Sequence, residues 1–293
     1  MRTIRIGTRT SALALKQTEM VMQRIKDKYP DFVFEVIPMQ TKGDKMLYTS
    51  LIEFGGKGAF VKELEEAILE DRIDVVVHSA KDMPKDLSDG LDIWMVSERA
   101  DARDVLITRE GICFDDAKKM VIGTSSPRRK AQIESRMCAR CQLLRGNVTT
   151  RIEKLRRGLY DGIVLAAAGL KRLELEKEGD LSYHYFSCEE MVPSGGQGIV
   201  AVEGRKEDTL RAFFAACSDK KAEIELKTER YILKKLDAGC HEPIGVYARV
   251  EKEEIEIHLF MEEKGKFRRG NISGKKEDCL ELADRLLEEV GVN

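Results

Sequence analysis

His78, Ser79, Lys81 and Asp82 crowd the end of a valine run in the stretch DVVVHSAKDMP at 74–84. Val75 to Val77 are a short continuous apolar run, the pattern of a strand buried on both faces. Pro84 prevents continuation as a central strand. Ligands of open α/β sheets sit at the carboxyl ends of strands, which is where Asp82 emerges. An ordinary strand-to-loop exit with a solvated Lys–Asp pair accounts for this stretch taken alone. Its weight changes with the rest of the chain, which supplies many cations and one well-placed acid.

The cations concentrate in MVIGTSSPRRKAQIESRMCARCQLLRGNVTTR at 120–151. Arg128, Arg129, Lys130, Arg136, Arg140, Arg145 and Arg151 stand there against the single acid Glu134. Thr124, Ser125 and Ser126 lie between a strand and Pro127, which suits a first helical turn. A helix N-terminus with hydroxyls and free N–H groups favours an anion, and neighbouring arginines add bidentate donors for carboxylate or phosphate. Arg145-Gly146-Asn147 repeats the device before the next helix. A solvated basic face balancing acids elsewhere is the plainer account. Two basic strand-to-helix junctions in succession argue against it.

Two basic points in the first part of the chain match them. Arg9 and Ser11 lie at a strand-to-helix junction, and Lys57 lies among Gly55, Gly56 and Gly58. Together they suggest two α/β lobes presenting anion-binding turns to a common cleft. Cys138 and Cys141 form a CxxC with no second pair and no nearby histidines, a poor zinc site, so no metal is expected. Cys240, in LDAGCHEPIG at 236–245, sits in a tight glycine- and proline-flanked loop. An exposed thiol there would be a nucleophile or an attachment point; a plain turn is the alternative.

The elements that must position these groups alternate. Strand is expected around Ile4–Ile6, helix from Ser11 through Ile25, strand over 32–39, and helix through Leu64, Ala67 and Ile68. Strands follow at 75–77 and 91–96, a βαβ-like pattern. A second unit opens near Asp104 with strands at 105–108 and 120–122 and a helix after Pro127. It continues with a short strand near Leu143–Leu144, a helix over 152–159 and a strand at 162–166. Residues 182–198 read as irregular. Ile199–Val202 reads as a strand returning to the first unit. From about Ser218 the pattern is a helix, two alternating antiparallel strands (244–250 and 255–261) and a closing helix through Leu280, Ala283, Leu286 and Leu287.

Composition sets the bounds. The chain has 293 residues, 42% hydrophobic and 35% charged, with a net charge of −2. That describes a globular protein whose basic sites are local, and it selects neither nucleic acid nor an anionic membrane. The arginine stretch also lacks the interleaved aromatics of a single-strand-binding surface. No run is long enough to span a bilayer, and the N-terminus lacks the pattern of a signal peptide. Seven cysteines, an odd number in a long chain, point to reduced thiols in the cytoplasm rather than a disulfide framework.

The chain resembles the porphobilinogen deaminase (hydroxymethylbilane synthase) family along nearly its whole length. The matching pieces are GTRTSALALKQ (7–17), GGKGAFVKELEEAI (55–68), DVVVHSAKDMP (74–84), ERADARD (98–104) and GTSSPRRKAQ (123–132). RGNVTTRIEKL (145–155), AAAGLKRL (166–173), GGQGIVAVEGR (195–205) and LDAGCHEPIG (236–245) follow in the family's order.

The resemblance implies a transferase that condenses porphobilinogen head to tail into hydroxymethylbilane and releases ammonia at each step. It implies a dipyrromethane cofactor joined by a thioether to Cys240, with Asp82 as the catalytic carboxylate. Cofactor contacts carry over to Lys81, Asp82, Thr124, Ser126, Arg128, Arg129, Arg145, Ser11 and Lys57. Contacts with the substrate and growing chain carry over to Arg9, Arg145, Arg151, Arg172, Gln17 and Phe60. The implied fold is two periplasmic-binding-protein-like α/β lobes and a small C-terminal α+β domain. The expected divisions are 1–97 completed by 196–215, 98–195, and 216–293 carrying Cys240. A cytoplasmic monomer working on porphobilinogen and oligopyrroles, without nucleic acid or membrane, is expected.

The chemistry of the residues agrees. Each pyrrole bears an acetate and a propionate, so a growing chain needs cations, and arginine binds carboxylate bidentately without deprotonating. Loss of ammonia leaves a cationic azafulvene, which a carboxylate beneath the pyrrole N–H groups would stabilise. Lys81 beside Asp82 would favour its ionised form. Glu53, Ala102 and Ala238 depart from the family pattern, where lysine, proline and glycine are common. A non-catalytic binder of polycarboxylates or phosphates is the runner-up.

Overall fold

A computed structural model describes residues 3–40, 61–110, 120–137, 139–176, 179–239 and 242–292. The chain divides into two compact units, 1–100 with 199–226 and 101–198 with 227–293.

The first unit is a five-stranded sheet in the order β2-β1-β3-β10-β4. The strands are β1 (Thr3–Arg9), β2 (Val33–Met39), β3 (Val75–Ser79), β4 (Leu91–Val96) and β10 (Val200–Arg205). Helix α1 (Ala12–Lys28) links β1 to β2, and α2 (Lys62–Leu69) precedes β3. β1 runs parallel to both β2 and β3. β10, arriving late in the chain, is antiparallel to β3 and β4. Val75–Val77 are buried, as befits a strand packed on both faces. One side meets Ile4, Ile6, Val21, Ile25 and Phe214 of the core; Val76 joins Leu64, Ile68 and Ile73. Gly204 permits a close crossing, since a Cβ there would lie 2.4 Å from the Trp94 ring.

The second unit repeats that order as β7-β6-β8-β5-β9. Its strands are β5 (Asp104–Arg109), β6 (Val121–Gly123), β7 (Arg140–Gln142), β8 (Gly162–Ala166) and β9 (Leu181–Tyr185). β6 is parallel to β7 and β8, whereas β5 is antiparallel to β8 and β9. Helices α3 (Pro127–Met137), α4 (Val148–Arg156) and α5 (Ala167–Arg172) connect them. Both sheets are therefore mixed rather than purely parallel. Each takes in one antiparallel strand beside its parallel trio, β10 in one and β5 in the other.

Helices α6 (Arg211–Ala215) and α7 (Lys220–Lys235) precede a three-stranded antiparallel sheet, β11 (Ile244–Glu251), β12 (Glu254–Glu263) and β13 (Lys266–Lys275). α8 (Cys279–Glu289) covers it with Leu282, Ala283, Leu286 and Leu287 buried. This is the small α+β domain. It docks within the second unit through Phe260, which packs with Ala131 and Val192. Arg269 Nη2 donates to Gln132 Oε1 (3.0 Å).

Three sequence expectations shift. The strand expected at Leu143–Leu144 is Arg140–Gln142, with Leu144 buried just beyond it. Residues 182–198 are not wholly irregular, because β9 occupies Leu181–Tyr185. The C-terminal sheet has a third strand, β13, where two were expected.

Candidate functional site

In the first unit the carboxyl ends of β1 and β3 share one sheet edge, since the two strands are parallel. Arg9 ends β1, and Ser11 caps α1 by accepting from Ala14 N–H (3.3 Å). Gln17 is buried on the same helix and donates from Nε2 to Ser79 Oγ (2.8 Å), which ties α1 to the end of β3. The chain then turns tightly. Ala80 N–H donates to Ile199 O (3.0 Å) and Met83 N–H to Ala80 O (3.3 Å) around a 3-10 turn, Ala80–Asp82. Ala80 and Met83 are buried, while Asp82 is exposed and Lys81 half-buried. Anchored neighbours thus hold Asp82 out. Among the described residues its carboxylate has no hydrogen bond or ion pair, leaving both oxygens available to a ligand's N–H groups.

In the second unit β6, β7 and β8 end at one edge, and β5 begins there, with Asp104 opposite Ala166. Pro127 opens α3, as its missing N–H permits. Thr124 Oγ1 accepts from Ser126 N–H (3.2 Å) and Ser126 Oγ from Arg129 N–H (3.4 Å). Asn147 caps α4 by accepting from Thr150 N–H (2.9 Å). Gly146 before it has φ +118, and a Cβ would come within 2.9 Å of the Thr150 side chain, so only glycine suits the turn.

The arginines at this edge fall into two groups. Arg128 and Arg129 are 3% and 6% exposed and are seated on Asp104. Arg129 donates from Nε (3.1 Å) and Nη2 (2.8 Å) to Asp104 Oδ1 and from Nη1 to Val164 O (3.0 Å). Arg128 Nη1 donates to Val192 O (2.7 Å). Its Nη2 lies 2.8 Å from Asp104 Oδ2, an ion pair without hydrogen-bond alignment, since that oxygen has no hydrogen-bond partner among the described residues. Gln197 Nε2 also donates to Asp104 Oδ1 (3.0 Å). Burial alone would raise the Asp104 carboxyl, but the two guanidinium charges and these hydrogen bonds hold it well below the carboxylate range. The open pair of carboxylate donors expected at 128–129 is thus already committed inside the unit, save for Arg128 Nε, which is buried and unpartnered among the described residues.

The second group is more available. Arg145 is half-buried and its guanidinium makes no hydrogen bond or ion pair among the described residues. Arg151 donates from Nε to Gly146 O (2.7 Å) and from Nη2 to Ser125 Oγ (3.4 Å). Arg172 donates from Nη2 to Gly198 O (2.7 Å), but its buried Nε has no partner among the described residues. Burial lowers that guanidinium to about 10. A buried cation with an idle donor is a place an anion would stabilise.

Lys57, Phe60 and Cys240 lie outside the described residues, as does Glu53. Of the other departures, Ala102 is buried with its carbonyl accepting from Gln197 Nε2 (2.7 Å), and Ala238 is buried with its N–H on Leu233 O (2.9 Å). Cys141 is no reactive thiol, because burial and then Glu134 push it up to about 12. Asp104 and Gln197 escaped the reading of the sequence. The available signal was an acid directly before the apolar run VLIT, which needs a cation once buried.

Asp104 gives a stability prediction. Asp104→Asn leaves two guanidinium groups buried without their anion, so unfolding stability should fall by roughly 3–5 kcal/mol. The native carboxyl is depressed, so its contribution is full above the ordinary value of 3.8 and is lost as pH falls through the native value. Thermal melts of wild type and variant should therefore converge towards acid and differ most near neutrality. Parallel curves at every pH would contradict the seating of the two arginines on Asp104.

Two family models cover the chain. "Porphobilinogen deaminase, dipyromethane cofactor binding domain" matches residues 4–212, and "Porphobilinogen deaminase, C-terminal domain" matches residues 223–291. A curated porphobilinogen deaminase of Clostridium acetobutylicum is 42% identical over 287 residues, 97% of this chain and 97% of that one. One of Bacillus subtilis is 42% identical over 261 residues, 88% of this chain and 82% of that one. Among solved structures, the Bordetella pertussis BvgS periplasmic VFT2 domain is 13% identical with a TM-score of 0.46, over 73% of this chain and 86% of that one.

Proposed function

The chain belongs to the porphobilinogen deaminase family, and we propose that it condenses porphobilinogen head to tail into the linear tetrapyrrole hydroxymethylbilane, releasing ammonia at each addition. The observation that carries this reading is Asp82, held out at the carboxyl end of β3 with no partner among the described residues. Asp82 Oδ accepts pyrrole N–H and offsets the positive charge that develops on the substrate as ammonia departs, and the same oxygen can take and return a proton. Lys81, Arg9, Ser11 and Gln17 complete that edge.

The donor set of the second unit fits a carboxylate-rich group: the guanidinium of Arg145 and the idle Nε atoms of Arg128 and Arg172. A dipyrromethane, bound through Cys240, supplies the pyrrole terminus from which the chain grows. Arg145, Arg151, Arg172 and Arg128 would hold its carboxylates and those of the growing chain, with Thr124 and Ser126 on the first turn of α3. Arg129 acts mainly through Asp104, keeping that turn in place. Lys57 and Phe60 join the reading from sequence alone. With it goes the division into 1–97 completed by 196–215, 98–195, and 216–293.

A monomer in the cytoplasm, free of nucleic acid and membrane, completes the reading. Cys141, Cys188, Cys217 and Cys279 are all unbridged, in keeping with a reducing compartment. No helix among the described residues is long and apolar enough to cross a membrane.

Arg145→Leu tests the reading with least risk to the fold, because that guanidinium has no partner to lose among the described residues. The lost charge-assisted contact should cost roughly 1.5–3 kcal/mol, appearing as weaker binding or stalled elongation, while the melting temperature holds. Wild-type turnover in this variant would remove Arg145 from the site. Arg128→Leu is less clean, since it also strips a cation from buried Asp104.

A further inference from the structure

The turn that carries Arg145 meets a cation, Lys154, to which the proposed reaction assigns no part. Upstream of the turn, Leu144 is fully buried and donates from its N–H to Thr124 O (3.2 Å). Downstream, Asn147 caps α4. Only Arg145 and Gly146 lie between these anchors, and Gly146 has φ +118. Their carbonyls fall outside any strand or helix ladder and need other donors. Both find one on α4. Gly146 O accepts from Arg151 Nε (2.7 Å), and Arg145 O accepts from Lys154 Nζ (2.8 Å).

Asn147, Arg151 and Lys154 recur at i, i+4 and i+7, so they line the face of α4 that meets the turn. The helix is a firm base for them. Ile152 and Leu155 are buried in a core with Val105, Ile107 and Ile163. Arg109 Nη1 donates to Leu155 O and Tyr160 O (both 3.3 Å), which ties down the far end. Lys154 itself is half-buried and pairs with no carboxylate among the described residues. A surface lysine ordinarily keeps its ammonium in water and its rotamers free. This one is committed to a backbone carbonyl nine positions upstream.

We propose that Lys154 is a positioning residue for Arg145. By drawing the Arg145 carbonyl onto α4, it fixes the direction in which that side chain leaves the turn and keeps the guanidinium presented to ligand carboxylates. The inference rests on the reading of Arg145 as a carboxylate ligand. Arg145, Arg151 and Lys154 all stand at this turn. Backbone carbonyls engage the last two, while the Arg145 guanidinium makes no hydrogen bond or ion pair among the described residues. On a loose turn, that long side chain would have to be ordered anew by each carboxylate it met; a preset turn reduces that cost. A carboxylate held away from the reacting carbon is bound alike in ground and transition states, so the gain falls on KM rather than kcat.

Amide hydrogen exchange of the holoenzyme, read by mass spectrometry, tests the seat. Lys154→Met should speed exchange in peptides covering residues 143–148 and leave those of β8 unchanged. Lys154→Arg, which retains a cationic donor, should restore the wild-type rate. Unchanged exchange in Lys154→Met would overturn the seat, whatever Arg145 binds.

Kinetics test the positioning. Lys154→Met should raise KM for porphobilinogen about tenfold, the net worth of one hydrogen bond, with kcat and melting temperature nearly held. Lys154→Arg should bring KM back. In an Arg145→Leu background, Lys154→Met should add nothing further, because its only route is through the missing side chain. A wild-type KM in Lys154→Met, or the same tenfold loss in the Arg145→Leu background, would overturn the positioning role and leave Arg145 in the site. Wild-type kinetics in Arg145→Leu alone would remove the target, and the positioning role would fall with the reading of Arg145.

Discussion

Asp82→Asn should reduce turnover by roughly 10²–10³, the range for loss of one preorganised electrostatic group. The substitution keeps size and shape. Ala80 and Met83, which hold the turn, are untouched. No described residue loses a partner, so the fold and melting temperature should be unchanged. On the proposed role, what disappears is the negative charge that would face the cation formed as ammonia leaves. The deficit should therefore fall on kcat, with KM for porphobilinogen nearly constant. Cofactor should still be present, because the arginines proposed to hold its carboxylates are untouched, and binding and catalysis need not fail together. A variant retaining more than about a tenth of wild-type turnover, well above that electrostatic penalty, would show that another group stabilises the charge.

Much of what positions Asp82 was legible in sequence, because the signals are local. Val75–Val77 bounded by Pro84 reads as a central strand ending in a turn, and that is what forms. Ser11 and Pro127 mark two helix starts by side-chain chemistry alone, and each begins its helix there or one residue later; the helix expected over 152–159 instead runs Val148–Arg156 from an Asn147 cap. Of the elements that escaped, β13 has a weak pattern: it buries only Ile272, and Arg268, Gly270 and Gly274 take the other inward positions, so no apolar alternation marks it. β9 does alternate, with Leu181, Tyr183 and Tyr185 inward and Ser182 and His184 exposed, but over only five residues.

The site was less legible than the fold, for a different reason. Arg128 and Arg129 read as free cations because their stretch holds one acid, yet their partner Asp104 lies about 25 residues upstream. It meets them because β5 runs antiparallel to β8 and so begins at the edge where α3 starts. The His78–Glu203 contact spans 125 positions and depends on β10 inserting beside β3. Charge counts along a chain cannot show such pairings. They follow once the strand order is known.

Cys240→Ala should abolish turnover, since elongation would have no tethered pyrrole to begin from. The variant should also be less stable. A group bound only to the native state stabilises it, and without its carboxylates the donors of Arg145 and Arg172 stay unneutralised. Earlier melting, faster proteolysis and a steeper dependence on salt should accompany the loss, as exposed like charges are screened by ions. Turnover in the alanine variant would show that the anchor lies elsewhere.

The most direct test of the whole account is the mass of the wild-type protein purified from a cell that makes porphobilinogen. The intact chain should exceed its sequence mass by one dipyrromethane. Digestion should place the adduct on the peptide containing Cys240 and on none containing Cys113, Cys138, Cys141, Cys188, Cys217 or Cys279. An unmodified chain, or an adduct on any other cysteine, would contradict it.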